Sequence, residues 1–229
     1  NQEPFRLVPA CRFLGAHYEE SVCAWMKERM RPGGVILDVG AQVGLYAMLA
    51  ARWVGETGQV FAFDPSPEAV GILKRHLAMN HLSKNVTVVE GAAGAEDGLV
   101  TMNMAGAAPE NSLASSQYAE RSYRAIEVPV MRLDHFCASR GIKPSMIKID
   151  TEGWELHVLR GAGALLKDET ITWVVEMHPY AWAEAGYERT DVEALLAENG
   201  LEAVALTGQS DSLAIYGDTY LRRTGHRET

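Results

Sequence analysis

Residues 35–52 read VILDVGAQVGLYAMLAAR. The β-branched and aliphatic run Val35-Ile36-Leu37 ends in Asp38, and Gly40 and Gly44 follow at a spacing of G-x-x-x-G. An apolar helical pattern then runs through Leu45, Met48 and Leu49 to Arg52. This is a strand, a tight turn and a helix, the unit that opens a doubly wound α/β sheet. The glycines allow a sharp turn and let backbone N–H groups come close to a ligand.

The spacing differs from the G-x-G-x-x-G of a dinucleotide binder. Asp38 stands where the turn begins, and a carboxylate there repels a pyrophosphate but suits a ligand with positive charge. S-adenosylmethionine, with an ammonium and a sulfonium, fits this turn better than NAD. The plain alternative is a glycine turn that holds no ligand.

The 229 residues suffice for one sizeable α/β domain, and 47% hydrophobic with 22% charged residues is an ordinary globular balance. No apolar run approaches the roughly 18 residues of a membrane span, so no membrane partner is expected. The formal charge of −9 argues against nucleic-acid substrates, which favour basic surfaces. Cys11, Cys23 and Cys137 are scattered and odd in number, fitting buried fillers in a reducing, cytoplasmic setting better than a disulfide framework. No signal peptide is visible and the chain starts at Asn1, which leaves room for upstream residues. The hydrophobic content is compatible with a homodimer.

Residues 1–34 read as an N-terminal arm followed by a helix over Tyr18–Arg31, stopped by Pro32-Gly33-Gly34. A domain over 35–221 and a polar tail over 222–229 complete the organisation. A second strand, Gln59–Phe63, leads to Asp64-Pro65, where an acid about two dozen residues beyond Gly40 suits two ribose hydroxyls. A third, Val86–Val89, leads to Glu90 and the small residues Gly91-Ala92-Ala93, which leave room for an adenine ring. Leu99–Met104 and Ile126–Met131 read as an inserted hairpin around a long loop, 105–124. That loop holds Asn111, Ser112, Ser115, Ser116 and Tyr118, and its length suggests a lid. Met146–Ile149 and Ile171–Val175 form the fourth and fifth strands. Thr190, with Glu193 three residues on, caps a helix ending at Gly200. Leu201–Leu206 and Leu213–Tyr216 complete the sheet.

Asp38, Asp64, Glu90, Asp150 and Glu176 thus stand at or just past strand carboxyl ends, the edge where ligands bind in open α/β sheets. Carboxylates gathered in one crevice repel one another unless a cation offsets them. A sulfonium cofactor, a divalent metal or a substrate ammonium could each do so; capping of the following helices is the plainer reading.

These segments carry a family resemblance. VILDVGAQVGLYAMLAA, FAFDPSPEAVGILKRHLAMN, GAAGAEDGLVTM, MIKIDTEGWELHVLRGA and VVEMHP resemble, in the same order, the FkbM family of S-adenosylmethionine-dependent methyltransferases. The most specific block, IKIDTEGWELHVLRGA, is similar to the family's I-K-I-D-x-E-G-x-E-x-x-x-L-x-G pattern. Gln42 and Asp64 depart from it conservatively, the family often carrying Asn and Glu there. The resemblance spans roughly residues 18–205. It implies a doubly wound, seven-stranded Rossmann-like sheet with the last strand antiparallel, and O-methylation of a small molecule, often a sugar or natural product. Cofactor contacts are expected from Asp38, Gly40, Gln42, Gly44, Asp64, Pro65, Ala92, Ala93 and Asp150. The family pattern adds Glu19, beside Tyr18, at the cofactor's methionine end.

Methyl transfer to oxygen needs the hydroxyl held in line with the methyl carbon, and an alcohol needs a base or a metal to help it. Asp150, Glu152 and His178 are the catalytic candidates, with Glu176 also in reach. Asp150, Glu152, Glu176 and His178 could instead hold a divalent cation such as Mg. Glu152 and Glu155 could simply fix the turn as first-turn helix acids. His76, His81 and His157 fall in helix patterns and read as structural or exposed. Trp154, Tyr180 and Trp182 could wall the acceptor pocket. Two alternatives stand beside this reading: a nicotinamide-dependent oxidoreductase, for which neither a glycine fingerprint nor a Tyr-x-x-x-Lys pair is present, and a non-catalytic S-adenosylmethionine-binding protein.

Overall fold

The computed structural model describes residues 4–11, 19–104 and 124–225. Tyr18, the loop residues Asn111, Ser112, Ser115, Ser116 and Tyr118, and the last four residues of the tail lie outside this set. In chain order the elements are α1 (Glu20–Arg29), β1 (Val35–Val39), α2 (Leu45–Val54), β2 (Gln59–Asp64), α3 (Pro67–Met79), β3 (Val86–Glu90), β4 (Ala92–Ala93) and β5 (Gly98–Met104). There follow β6 (Arg124–Met131), α4 (Leu133–Arg140), β7 (Met146–Ile149), α5 (Glu155–Arg160), β8 (Thr172–Met177), α6 (Arg189–Glu198), β9 (Leu201–Ala205) and β10 (Gly217–Arg223).

The sheet has seven strands in the order β3-β2-β1-β7-β8-β10-β9. Neighbours from β3 to β8 pair in parallel, whereas β10 pairs antiparallel with both β8 and β9. Strand order reverses between β1 and β7, the switch point at which an open sheet forms a crevice at its carboxyl edge. A second, three-stranded sheet, β4-β6-β5, carries the expected hairpin: β5 and β6 pair antiparallel from Gly98↔Val130 to Met104↔Arg124.

Alternation along the strands divides the core into two layers. Ile36, Val60, Met146 and Val174 face α1 and α2, whose Val22, Met26, Ala47 and Ala51 pack against them. Leu37, Phe61, Ile147 and Trp173 face the opposite side, toward Phe136 of α4, Leu159 of α5 and Leu196 of α6.

Two details differ from the sequence reading. The last strand is Gly217–Arg223, not Leu213–Tyr216; it continues past Arg222, which bonds Glu202, to Arg223, which bonds the carbonyls of Asn199 and Leu166. These arginines look like a polar tail in sequence, but each ends on an acid or an open carbonyl. The α6 cap is a box made by Glu188 and Asp191, while Glu193, the expected partner of Thr190, pairs with Arg189 at 2.6 Å. Among the described residues no helix is long and apolar enough to cross a membrane.

Candidate active site

Alternation explains why polar groups collect on one face of the sheet. Asp38 follows Ile36, Lys148 follows Met146, and Glu176 follows Val174, so all three project toward α1 and α2 at the carboxyl end. The register sets Lys148 beside Asp38, and Asp218 of β10 beside Glu176. Lys148 is 1% exposed, 3.0 Å from Asp150 Oδ2, with its ammonium 4.2 Å from the centre of the Tyr46 ring. Burial acts to lower its pKa, but Asp150, Glu176, Asp218 and Asp38 together hold it above the usual lysine range. The carboxylates respond in turn: burial raises Asp38 to about 7 and Asp218 to about 6, while Lys148 and His178 keep Asp150 low against its own burial.

A cavity opens above this cluster, at the carboxyl edge of the sheet. At one end stands Asp64, whose Oδ2 accepts from the Gln42 N–H at 2.7 Å and whose Oδ1 accepts from the Ser66 N–H at 2.8 Å. Each oxygen keeps a second lone pair, so the carboxylate is fixed without being used up and suits a vicinal diol. Burial raises its pKa to about 6. Pro65 and the run Gly91-Ala92-Ala93 line the same end, with Ala92 and Ala93 pinned against β6.

Gly40 and Gly44 take φ of +87° and +90°, as a sharp turn requires. Their missing side chains make room for protein: a Cβ on Gly40 would stand 1.6 Å from the Asp150 carbonyl oxygen, and one on Gly44 would meet Leu73 at 2.0 Å. Gly40 lines the cavity, while Gly44 packs α2 onto α3.

The other end is built by the turn after β7. Glu152 takes a left-handed φ of +51°, unusual for a residue with a side chain, and Gly153 follows at +100°. Strain of this kind gathers at functional sites, and here it turns Glu152 into the cavity wall. Glu155 braces the turn by accepting from the Gly153 N–H at 2.8 Å and the Thr151 hydroxyl at 3.3 Å. Its Oε1 also lies 3.0 Å from His178 Nδ1, and the imidazole reaches Glu152 Oε2 through Nε2 at 3.4 Å.

Burial acts against protonation of His178, yet the bond to Glu155 and the charges of Glu155, Asp150 and Glu152 push its pKa up to about 10. The imidazole is therefore a cation at neutral pH, 1% exposed behind the cavity wall. Burial raises Glu152 to about 7, and burial followed by the Asp150 charge raises Glu176 to about 9. Tyr180 donates to Glu152 Oε2 at 3.3 Å, and Tyr216 donates to Glu176 Oε1.

Comparison with known proteins agrees with this arrangement. The family model for the methyltransferase FkbM domain matches residues 38–202. The chain belongs to the FkbM methyltransferase family. A hexuronic acid methyltransferase of Haloferax volcanii is 24% identical over 181 residues, covering 79% of this chain and 68% of its own. The structure of methyltransferase FkbM from Methylobacillus flagellatus aligns with a TM-score of 0.51 at 18% identity, over 84% of this chain and 44% of that one. An O-methyltransferase from Bacillus cereus, solved in complex with SAH, aligns at 0.53 with 15% identity, over 93% of this chain and 84% of that one. Membership displaces the nicotinamide-dependent alternative.

In this FkbM methyltransferase the predicted residues divide into three groups. Gly40, Gln42, Asp64, Pro65, Ala92, Ala93, Asp150, Glu152 and Glu176 all line the one cavity. Asp38, Glu19 and His178 stand outside its lining: Asp38 accepts from the Ala47 N–H, Glu19 receives the Tyr46 hydroxyl, and His178 backs Glu152. Glu90 leaves the cluster for an exposed pair with Lys74 at 2.5 Å. Trp154 lines the cavity, whereas Trp182 is buried and donates to Glu155 Oε2. His76 is buried and bonds the Val43 carbonyl, and the three cysteines are free thiols.

Lys148, Tyr216, Asp218 and Met102 escaped the sequence reading, although all four lie at or beside the site. A signal existed only for Lys148, a lone charge inside the apolar run Met146–Ile149. Ligand atoms of Asp150, Glu176 and His178 lie within 4.8 Å of one another, a spacing that could hold a metal ion.

Proposed function

We propose that this methyltransferase transfers a methyl group from S-adenosylmethionine to a hydroxyl oxygen of a small molecule, a sugar or natural product. The observation that carries this reading is one cavity with a diol-accepting carboxylate, Asp64, at one end and the strained, relay-backed Glu152 at the other. Asp64 would hold the ribose, the Gly91–Ala93 run the adenine, and the field of Asp38 and its neighbours would favour the cofactor's positive charges. When bound, S-adenosylmethionine supplies a methyl group on a sulfonium, an already activated leaving group.

The protein's work is then orientation and one proton. Glu152 faces the cavity and, with a pKa of about 7, is matched to accepting a hydroxyl proton near neutral pH. His178 already carries its proton and touches Glu152 from behind, so it serves as a positioning residue that keeps the carboxylate in place. Glu155 in turn fixes the imidazole. The Haloferax relative is named for a hexuronic acid, which supports a sugar as the acceptor.

A second reading gives Asp150, Glu176 and His178 a divalent cation such as Mg, on the strength of their mutual spacing. Against it, the Lys148 ammonium stands 3.0 Å from Asp150 and supplies positive charge to the same acids. Incubation with methyl-labelled S-adenosylmethionine and a panel of sugars and natural products tests the proposal. Label on an acceptor oxygen is the expected result. Label only on nitrogen or carbon, or cofactor binding without transfer to any hydroxyl, would contradict it, the last favouring a non-catalytic binding protein.

A further inference from the structure

Two open aromatic rings stand by the cavity's carboxylates: Tyr216 lines the cavity, and Tyr180 lies outside the lining but bonds Glu152. Tyr180 and Tyr216 are 56% and 53% exposed, their ring centres 6.3 Å apart and tilted by 53°. The buried His178 ring lies 5.8 Å from one and 5.2 Å from the other. Each tyrosine hydroxyl rests on a carboxylate, Tyr180 on Glu152 and Tyr216 on Glu176, so the rings are oriented while their faces stay accessible. Asp64, Asp150, Glu152 and Glu176 line the cavity, and among the described lining residues there is no lysine or arginine.

We infer that the acceptor is an uncharged, hydroxyl-bearing ring, a neutral glycoside rather than a uronate, with its C–H face against Tyr180 and Tyr216 and its hydroxyls on Glu152 and Glu176. The inference rests on the O-methyltransferase reading and narrows it. Amphipathic tyrosine rings offer an apolar surface to the C–H face of a sugar. Carboxylates accept hydrogen bonds from ring hydroxyls, and charge-assisted bonds of this kind are the stronger ones. A carboxylate on the acceptor would stand against Glu152 and Glu176 without a cation in the described lining to receive it, since Lys148 and His178 lie behind the wall and are already paired with Asp150, Glu152 and Glu155.

The test is titration of methyl β-glucopyranoside and methyl β-glucopyranosiduronate into the protein pre-saturated with S-adenosylhomocysteine, whose own binding is recorded first. The neutral glycoside should bind at least about tenfold more tightly than the uronate at pH 8. Tyr180→Ala should weaken the neutral glycoside several-fold while Tyr180→Phe retains it, and neither should move the affinity for S-adenosylhomocysteine. Equal or tighter binding of the uronate would overturn the inference. So would no binding of either glycoside, and S-adenosylhomocysteine bound in the same experiment would then leave the methyltransferase reading standing. Failure of S-adenosylhomocysteine itself to bind would sink both.

Discussion

Replacing Lys148 by methionine isolates the electrostatics of the site. The change keeps most of the side-chain volume but removes the buried cation that faces Asp38, Asp150, Glu176 and Asp218. Breaking a buried ion pair from one side costs about 3–5 kcal/mol, because the partner charge is left without compensation. The penalty depends on pH because the acids can escape it by taking up protons. Folded pKa values of about 7 for Asp38 and about 6 for Asp218 lie above the ordinary carboxylate range. Acids raised in this way contribute stability below their unfolded pKa and lose it as pH rises through the folded value. Without Lys148 these values rise further, so the variant's deficit should grow from pH 5.5 to pH 8. We expect Lys148→Met to cost about 3–5 kcal/mol at pH 8, a fall of roughly 6–20 °C in Tm for a chain of this size, and about half as much at pH 5.5. Urea and thermal unfolding at the two pH values measure this. A loss below about 1 kcal/mol at both, or an equal loss at both, would refute the account of Lys148 as the counter-ion.

Other consequences are open to direct measurement. Glu152→Gln should lower kcat by about 10²–10⁴-fold as the base is lost, with cofactor affinity in calorimetry little changed; a drop in affinity alone would assign Glu152 to binding. Gly40→Ala should destabilise by about 3 kcal/mol or more, the sum of a forced contact and a left-handed backbone, since its Cβ would meet the Asp150 carbonyl at 1.6 Å; near-wild-type unfolding would show that the turn can yield. Cofactor affinity should rise about tenfold between pH 5 and pH 7 as Asp64, at about 6, ionises to receive hydroxyl hydrogens; a flat profile would remove Asp64 from the contact. EDTA should leave binding and turnover unchanged if Lys148 serves as the cation, whereas a loss reversed by magnesium would favour the Asp150–Glu176–His178 site.

Much of the architecture was legible in the sequence because periodicity and turn chemistry agreed. The apolar run Met146–Ile149 is a strand over the same four residues, and the runs Leu99–Met104 and Ile126–Met131 pair as a hairpin. The final strand was misplaced because Leu213–Tyr216 has the apolar residues of a strand, while Gly217–Arg223 hides its strand character behind polar side chains. Thr219 is fully buried with its hydroxyl on the Val175 carbonyl, and the two arginines end on defined partners. At the site, position along a strand sufficed to gather Asp64, Asp150 and Glu176, since chain direction carries a strand end to the carboxyl edge. It could not separate Glu90, which ends the edge strand β3 and pairs with a helix lysine in solvent. Nor could it order Glu152 before His178, because that distinction rests on a left-handed backbone at Glu152 and a three-residue relay spanning two elements.

The central claim is that the cavity beside Asp64 receives S-adenosylmethionine. Calorimetric titration of S-adenosylmethionine and of S-adenosylhomocysteine into the wild-type protein and into Asp64→Ala tests it most directly. The account predicts that both ligands bind the wild type and that the variant, still folded by circular dichroism, binds each about tenfold to a hundredfold more weakly, as loss of charge-assisted hydrogen bonds requires. Folded wild-type protein that binds neither ligand, or an Asp64→Ala variant that binds both unchanged, would contradict it.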